Sequence, residues 1–173
     1  MNNIELMSHA YYKLLTSIDW NDEVFLCGMR EGLNKFLSNI SLKLNSKNKY
    51  LQGDFYSINA IKQIKEKRYS NLIYEHMIPK NKYIQRPCEE KAREGNLTID
   101  IILELLNKYW KIAIITSDEN KLLHQKTMPI DWDNENIFYR YEHAGIKLVK
   151  SSSDQIIFHV TPENPEHLCQ KRN

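Results

Sequence analysis

The residues with the most promising types and spacing for chemistry lie in Asn71-Leu-Ile-Tyr-Glu-His76-Met-Ile-Pro79-Lys80. An apolar and aromatic run, Leu72 to Tyr74, leads into the pair Glu75-His76, and Pro79 stops it shortly after. That pattern predicts a strand that ends at His76 and turns at the proline. A histidine at the end of a rigid element, beside a carboxylate, suits a nuclease. Its pKa near neutrality lets it take a proton from water as the water attacks phosphorus. The same pattern also describes a half-buried histidine with its hydrogen bonds satisfied, and both readings stand at this stage.

Further along, Asn120 and His124 are four residues apart at the start of a predicted helix, which would put them on one face. Two polar groups on one helix face, opposite a strand-end histidine, form a common plan for a metal site. Over about residues 70–126 the order of Glu75, His76, Asn120 and His124 resembles the HNH group of His-Me finger nucleases. Those have an acidic-His pair on a strand, an intervening loop, then a helix with Asn and His. The resemblance implies that His76 is the general base and that Asn120 orients it. It implies that Glu75 and His124 hold one Mg²⁺ or Mn²⁺, which stabilises the phosphorane and the leaving oxygen. This chain has Glu where Asp is commoner, lacks bracing cysteine pairs, and carries a predicted helix and strand between His76 and Asn120. An exposed first helical turn is the ordinary reading of Asn120 and His124, and the capping-box spacing of Thr116 to Glu119 accounts for Glu119.

A second constellation is Arg86, Glu90 and His124. Arg86 and Glu90 are four apart on a predicted helix. With a histidine they suit metal-independent RNA cleavage, in which the ribose 2′-hydroxyl attacks, Glu and His exchange protons and Arg neutralises the phosphorane. Their order loosely resembles that of bacterial anticodon nucleases; a plain helix ion pair is the competing reading. Arg30-Glu31 reads as an exposed charge pair, and His143 and His159 have no spacing that ties them to a site. The chain has no Walker-type loop, no GxGxxG and no GxSxG, which argues against P-loop hydrolysis, dinucleotide redox chemistry and α/β-hydrolase chemistry.

The elements that must position these residues follow from periodicity. Helices are predicted over 4–18 and from Asp22 to about residue 44, packed as an antiparallel pair because the link is short. A polar, basic stretch, 44–54, separates them from the rest. A basic helix is predicted over 56–68, the strand before His76 follows, and Pro87 opens a short helix that Gly95 ends. Thr98 caps a helix to Tyr109, residues 111–116 form a buried strand, and a helix starting at Thr116 runs on until Met128-Pro129 stops it. The acidic and aromatic loop after it, Met128 to Asp133, reads as a structural turn with Trp132 covering the core or as a contact surface. A short helix at 135–143 and a hairpin of 146–149 with 155–160 complete the pattern. The fold class is therefore α+β. An N-terminal helical part (1–44) precedes a small mixed sheet packed with several helices (45–163), and a polar, flexible tail is expected over 164–173.

Composition sets the remaining bounds. An apolar fraction of 42% in 173 residues is enough for a packed core. The net charge of +2 is uneven: residues 43–93 hold 12 Lys/Arg against 5 Asp/Glu, and the other residues hold 12 against 17. One basic face is implied, with Lys62, Lys65, Arg68, Lys80 and Arg86 as its nucleic-acid-binding candidates, for RNA or DNA. The same charged faces would also suit a protein partner or a second copy of the chain, which is the non-enzymatic alternative of an immunity or accessory protein. Three cysteines without CxxC spacing exclude a disulfide framework and a cysteine zinc site. Met1 to Glu5 show no basic and apolar leader and no run is long enough to span a bilayer, so a cytoplasmic protein without membrane contact is expected.

Overall fold

The computed structural model describes residues 1–45, 48–124 and 126–151. Seven α-helices and one four-stranded mixed sheet give an α+β fold among the described residues. The chain divides into two compact units: Met1–Ser46 with Pro79–Trp110, and Lys47–Ile78 with Lys111–Asn173. The first unit is wholly helical and the second carries the sheet.

In the helical unit, α1 (Asn3–Thr16) opens with a capping box. The Glu5 amide donates to the Asn2 side chain at 2.9 Å and the Asn2 amide donates to the Glu5 carboxylate at 2.8 Å, satisfying two otherwise orphaned donors. Met7, Tyr11 and Leu15, four apart, form the buried stripe. Asp22 caps α2 (Glu23–Leu44), whose Leu26, Leu33 and Leu37 face inward. The Asn3 amide donates to the Asn45 side chain at 3.1 Å, which joins the start of α1 to the end of α2 and makes the pair antiparallel. Tyr11 stacks on Phe36 with ring centroids 6.0 Å apart. Later in the chain a single π-helical turn, Asn81–Gln85, runs straight into α4 (Arg86–Arg93). Pro87 sits in the first turn of α4, where its missing N–H costs least. The buried Gln85 amide donates to the Leu33 carbonyl at 2.8 Å, tying this turn to α2. Gly95, at φ +71, releases the chain from α4, and Thr98 caps α5 (Ile99–Tyr109).

In the sheet unit, β1 (Phe55–Ser57) passes directly into α3 (Ile58–Lys65), capped by the Ser57 hydroxyl. The other strands are β2 (Leu72–His76), β3 (Ile112–Thr116) and β4 (Leu148–Lys150), in the order β2-β3-β1-β4. Only the β1–β3 pair is parallel. Glu75 faces Ala113 and His76 faces Ile112 across the β2–β3 ladder. Side chains alternate, so the sheet has two apolar faces. One gathers Tyr56, Leu72, Ile112 and Ile114 with α3; the other gathers Phe55, Met77, Ala113 and Ile115 with Leu123 and Tyr141. Between the strands, α6 (Ser117–Lys121) starts at the predicted capping box, and α7 (Tyr139–His143) supplies Tyr141. Glu119 does more than cap. It also accepts from the Ser57 hydroxyl at 2.6 Å and from the Asn59 amide at 3.0 Å, linking the starts of α6 and α3. Trp132 is buried, its indole N–H donating to the Asn136 carbonyl at 2.8 Å.

Several expectations are corrected. The predicted helix over 56–68 begins as strand β1, because Ser57 in an extended conformation is needed as the cap of α3. The helix predicted to carry both Asn120 and His124 stops at Lys121, so the two do not share a helix face. The chain turns there because Leu123 enters the core and the His124 carbonyl reaches a buried partner. The helix at 135–143 is only Tyr139–His143; before it, the Asp133 carboxylate accepts from the Glu135 and Asn136 amides and holds a turn. Leu148–Lys150 pairs with β1, while residues 155–160, His159 and the tail 164–173 lie outside the described residues. No helix among the described residues is long and apolar enough to cross a membrane.

Candidate functional site

The end of β2 is held by one side chain that sequence reasoning missed. Arg140, 2% exposed, reaches from α7 to the strand end. Its Nε donates to the Met77 carbonyl at 2.8 Å, and one terminal nitrogen donates to the His124 carbonyl at 3.1 Å. The other donates to a Glu75 carboxylate oxygen at 2.7 Å and to the His76 carbonyl. A buried guanidinium must have its charge and N–H groups answered. Glu75 supplies the charge and three carbonyls supply the acceptors. Burial pushes the Glu75 carboxyl above the usual carboxylate range, and the Arg140 charge draws it part of the way back. The one signal for Arg140 in the sequence was a lone arginine between Tyr139 and Tyr141 on a short, otherwise aromatic segment.

Glu75, His76 and His124 thus do meet around one centre, but not by the groups that the HNH resemblance needs. Strand alternation turns Glu75 toward the face of Met77 and Tyr141, and turns His76 to the opposite face, with Leu72 and Tyr74. The His76 ring lies edge-on to Tyr74, with centroids 6.0 Å apart. His124 approaches Arg140 with its carbonyl, and its side chain is exposed. The donor set for Mg²⁺ or Mn²⁺ is therefore poor. The one carboxylate already neutralises a guanidinium, which repels a second cation at that distance. Among the described residues no group of three or more His, Cys, Asp or Glu side chains is placed to share an ion. Asn120 lies on α6, next to Glu119 in the cap network.

A different arrangement appears in the helical unit. Arg30 and Asn34 of α2, Asn81 and Gln85 of the π turn, and Arg86, Glu89, Glu90 and Arg93 of α4 line an open polar cleft of about 430 Å³. Glu89 is buried and is paired with Arg30 at 3.0 Å, so Arg30 does not pair with Glu31 as its position suggests; Glu31 pairs with Lys35 instead. Arg93 lies over the Trp20 ring, 4.9 Å from its centroid. Arg86 is exposed, and its guanidinium makes no hydrogen bond or ion pair among the described residues. The three arginines outnumber the two glutamates, and one of those glutamates is already paired. The cleft can therefore receive an anion, with Arg86 as its unengaged cation. Sequence reasoning found Arg86 and Glu90 here but not Arg30 or Arg93, because α2 and α4 meet only in three dimensions.

The other candidates divide between the units. Lys80 is turned inward: its ammonium donates to the Asn34 carbonyl and, at 3.2 Å, to the Gln85 side chain, and burial lowers its pKa. Its proposed contact with nucleic acid therefore has no geometric support. Lys62 and Arg68, on and just after α3, line a separate cavity of about 520 Å³ in the sheet unit together with Asn59, Asp118 and Glu119. Arg68 is paired with Glu66, and Lys65 lies on the same helix. Of the metal-free cleavage set, Arg86 and Glu90 belong to the helical unit and His124 to the sheet unit. Compared with known proteins, the chain matches no family model, no curated protein and no solved structure.

Proposed function

We propose that the protein is a nucleic-acid-binding protein whose helical unit engages phosphate through Arg30, Arg86 and Arg93. One observation carries this reading. Arg86 is an exposed guanidinium on the wall of a concave cleft, with no hydrogen-bond or ion-pair partner among the described residues, beside two further arginines. A guanidinium in that setting offers its planar pair of donors to phosphate oxygens. The test is fluorescence anisotropy of a labelled oligonucleotide over a range of salt. Log affinity should fall linearly with log salt, and Arg86→Ala should lower the slope by about 0.7–0.9 if it contacts one phosphate. Absence of binding at low salt would overturn the reading.

A second reading, phosphodiester cleavage with His76 as general base, is favoured by a separate observation. Arg140 immobilises the residues around His76: the Glu75 carboxylate and the carbonyls of His76 and Met77. A strand end fixed in this way gives the His76 ring, on the other face, a rigid base from which to transfer a proton. The metal expected from the HNH resemblance has no part in this reading, because Glu75 is engaged by Arg140. His76→Ala should then abolish cleavage of RNA or DNA and leave binding by the arginine cleft unchanged. A wild-type chain that binds and never cuts would remove the second reading alone.

A further inference from the structure

The arginine cleft continues into a second cavity of different chemistry. Trp20, Asn21, Glu23, Leu26, Cys27, Arg30 and Arg93 line a space of about 660 Å³, and Arg30 and Arg93 are shared with the polar cleft. The Trp20 indole N–H donates to the Leu15 carbonyl at 3.1 Å, so the ring is pinned at the end of α1. Arg93 lies against its face. Asn21 and Glu23 bring an amide and a carboxylate to the same wall. Immediately beside it, the first turn of α2 leaves Val24 and Phe25 exposed.

From cleft to cavity the order is therefore cations, then an aromatic ring with hydrogen-bonding groups beside it. That is the order of a nucleotide, from phosphate to base. We propose that the Trp20 cavity receives an unpaired base whose phosphate lies on Arg30 and Arg93, so that the protein prefers single-stranded nucleic acid. A base in a duplex keeps its faces covered by its neighbours and its pairing edge occupied. Only an unpaired base can offer a face to Trp20, on the side of the ring that Arg93 does not cover, and an edge to Asn21 and Glu23. This inference rests on the phosphate-binding reading of the arginine cleft.

The test uses the full chain and four labelled ligands of about 12 nucleotides. They are a single-stranded RNA, the DNA of the same sequence, the DNA duplex, and a DNA strand with abasic sites in place of its central bases. Single strands should bind more tightly than the duplex. The abasic strand keeps its phosphates and should lose roughly 5- to 150-fold in affinity, the effect of losing the one base that stacks on Trp20. Trp20→Leu should lose a similar factor on the intact strand and little on the duplex. Trp20→Phe keeps a ring and should recover binding. The RNA and DNA arms show which sugar is preferred. Equal binding of strand, duplex and abasic strand would overturn the Trp20 proposal and leave the arginine cleft standing. No binding of any ligand at low salt would overturn both. The abasic strand needs no variant, so the proposal is tested even if Trp20→Leu fails to fold.

Discussion

The two units use arginine in opposite ways. In the sheet unit Arg140 is 2% exposed, and its guanidinium is bound to Glu75 and to the carbonyls of His76, Met77 and His124. In the helical unit Arg86 is exposed on a cleft, and its guanidinium has no hydrogen-bond or ion-pair partner among the described residues. The first is a tie between the end of β2, the chain after α6, and α7. The second holds nothing in place and is open to a ligand. The difference teaches that charge in a sequence does not indicate binding until its protein partners have been counted. Lys80 makes the same point, because its position in a basic segment suggested phosphate contact while its ammonium is directed to Asn34 and Gln85.

The strongest way to break the comparison is Arg140→Met. It leaves a buried carboxylate and three carbonyls without their donor, and should destabilise the sheet unit by about 3–5 kcal/mol. Chemical denaturation followed by circular dichroism would measure it. A loss below 1 kcal/mol would mean that Arg140 is not the tie described here.

The second test concerns what lies beneath the cleft. Burial, and after it the neighbouring Glu89 carboxylate, push the Cys88 thiol from its ordinary 9.0 up to about 12. The folded state therefore holds this proton more tightly than the unfolded state. The stability it contributes is complete below pH 9 and is lost as pH rises toward 12. Between pH 9 and 10 this group should lower wild-type stability by about 1 kcal/mol. In Cys88→Ala the same step should be shallower by that amount, the rest of the slope coming from the buried Tyr11 and Tyr141 hydroxyls, whose pKa values are also raised. Denaturation midpoints at the two pH values decide it, and equal slopes would show that Cys88 is exposed to solvent.

The third test is steric and lies in the sheet unit. A Cβ on Gly53 would stand 2.7 Å from the Ile114 side chain and 2.9 Å from the Phe55 carbonyl oxygen. Gly53→Ala should therefore cost about 1–3 kcal/mol. Gly28, whose added Cβ would meet nothing within 4 Å, is the control in the helical unit. Equal melting temperatures for Gly53→Ala and Gly28→Ala would contradict the packing described around β1.

The smallest expected stability effect belongs to a residue on which nucleic-acid binding is expected to depend. Arg86→Ala removes no hydrogen bond or ion pair among the described residues and should change stability by no more than about 0.5 kcal/mol. Its binding of nucleic acid should nevertheless weaken. A clear drop in melting temperature would place Arg86 with Arg140, as a structural residue.

Local signals were legible in the sequence. Thr98, Asp22 and the Thr116-to-Glu119 box cap helices as expected, β2 ends at His76, and residues 112–116 are a buried strand. These depend on neighbours within about four residues, and the backbone hydrogen bonds they satisfy are local. The end of α6 was not legible. The propensities of Leu122 to His124 suit a helix, yet burial of Leu123 and the Arg140 contact pull the chain out of it. The basic stretch 44–54 was read as a boundary, and contacts divide the chain between Ser46 and Lys47; they also return Pro79–Trp110 to the helical unit. That return is a matter of packing between segments far apart in sequence, and periodicity carries no sign of it.

By itself, then, the sequence determined the α+β class, most helix starts, and the position of His76 at a strand end. It also put Arg86 and Glu90 one turn apart on α4. Tertiary structure alone decided which charges are engaged. It brought Arg140 to Glu75 across 65 residues and Arg30 to Glu89 across 59. Strand alternation sends Glu75 and His76 to opposite faces, and the fold decided what packs on each: α3 on one, Leu123 and Tyr141 on the other. The physical reason is that a side chain's charge is a property of one residue. Its desolvation and its partners belong to whatever the fold packs beside it.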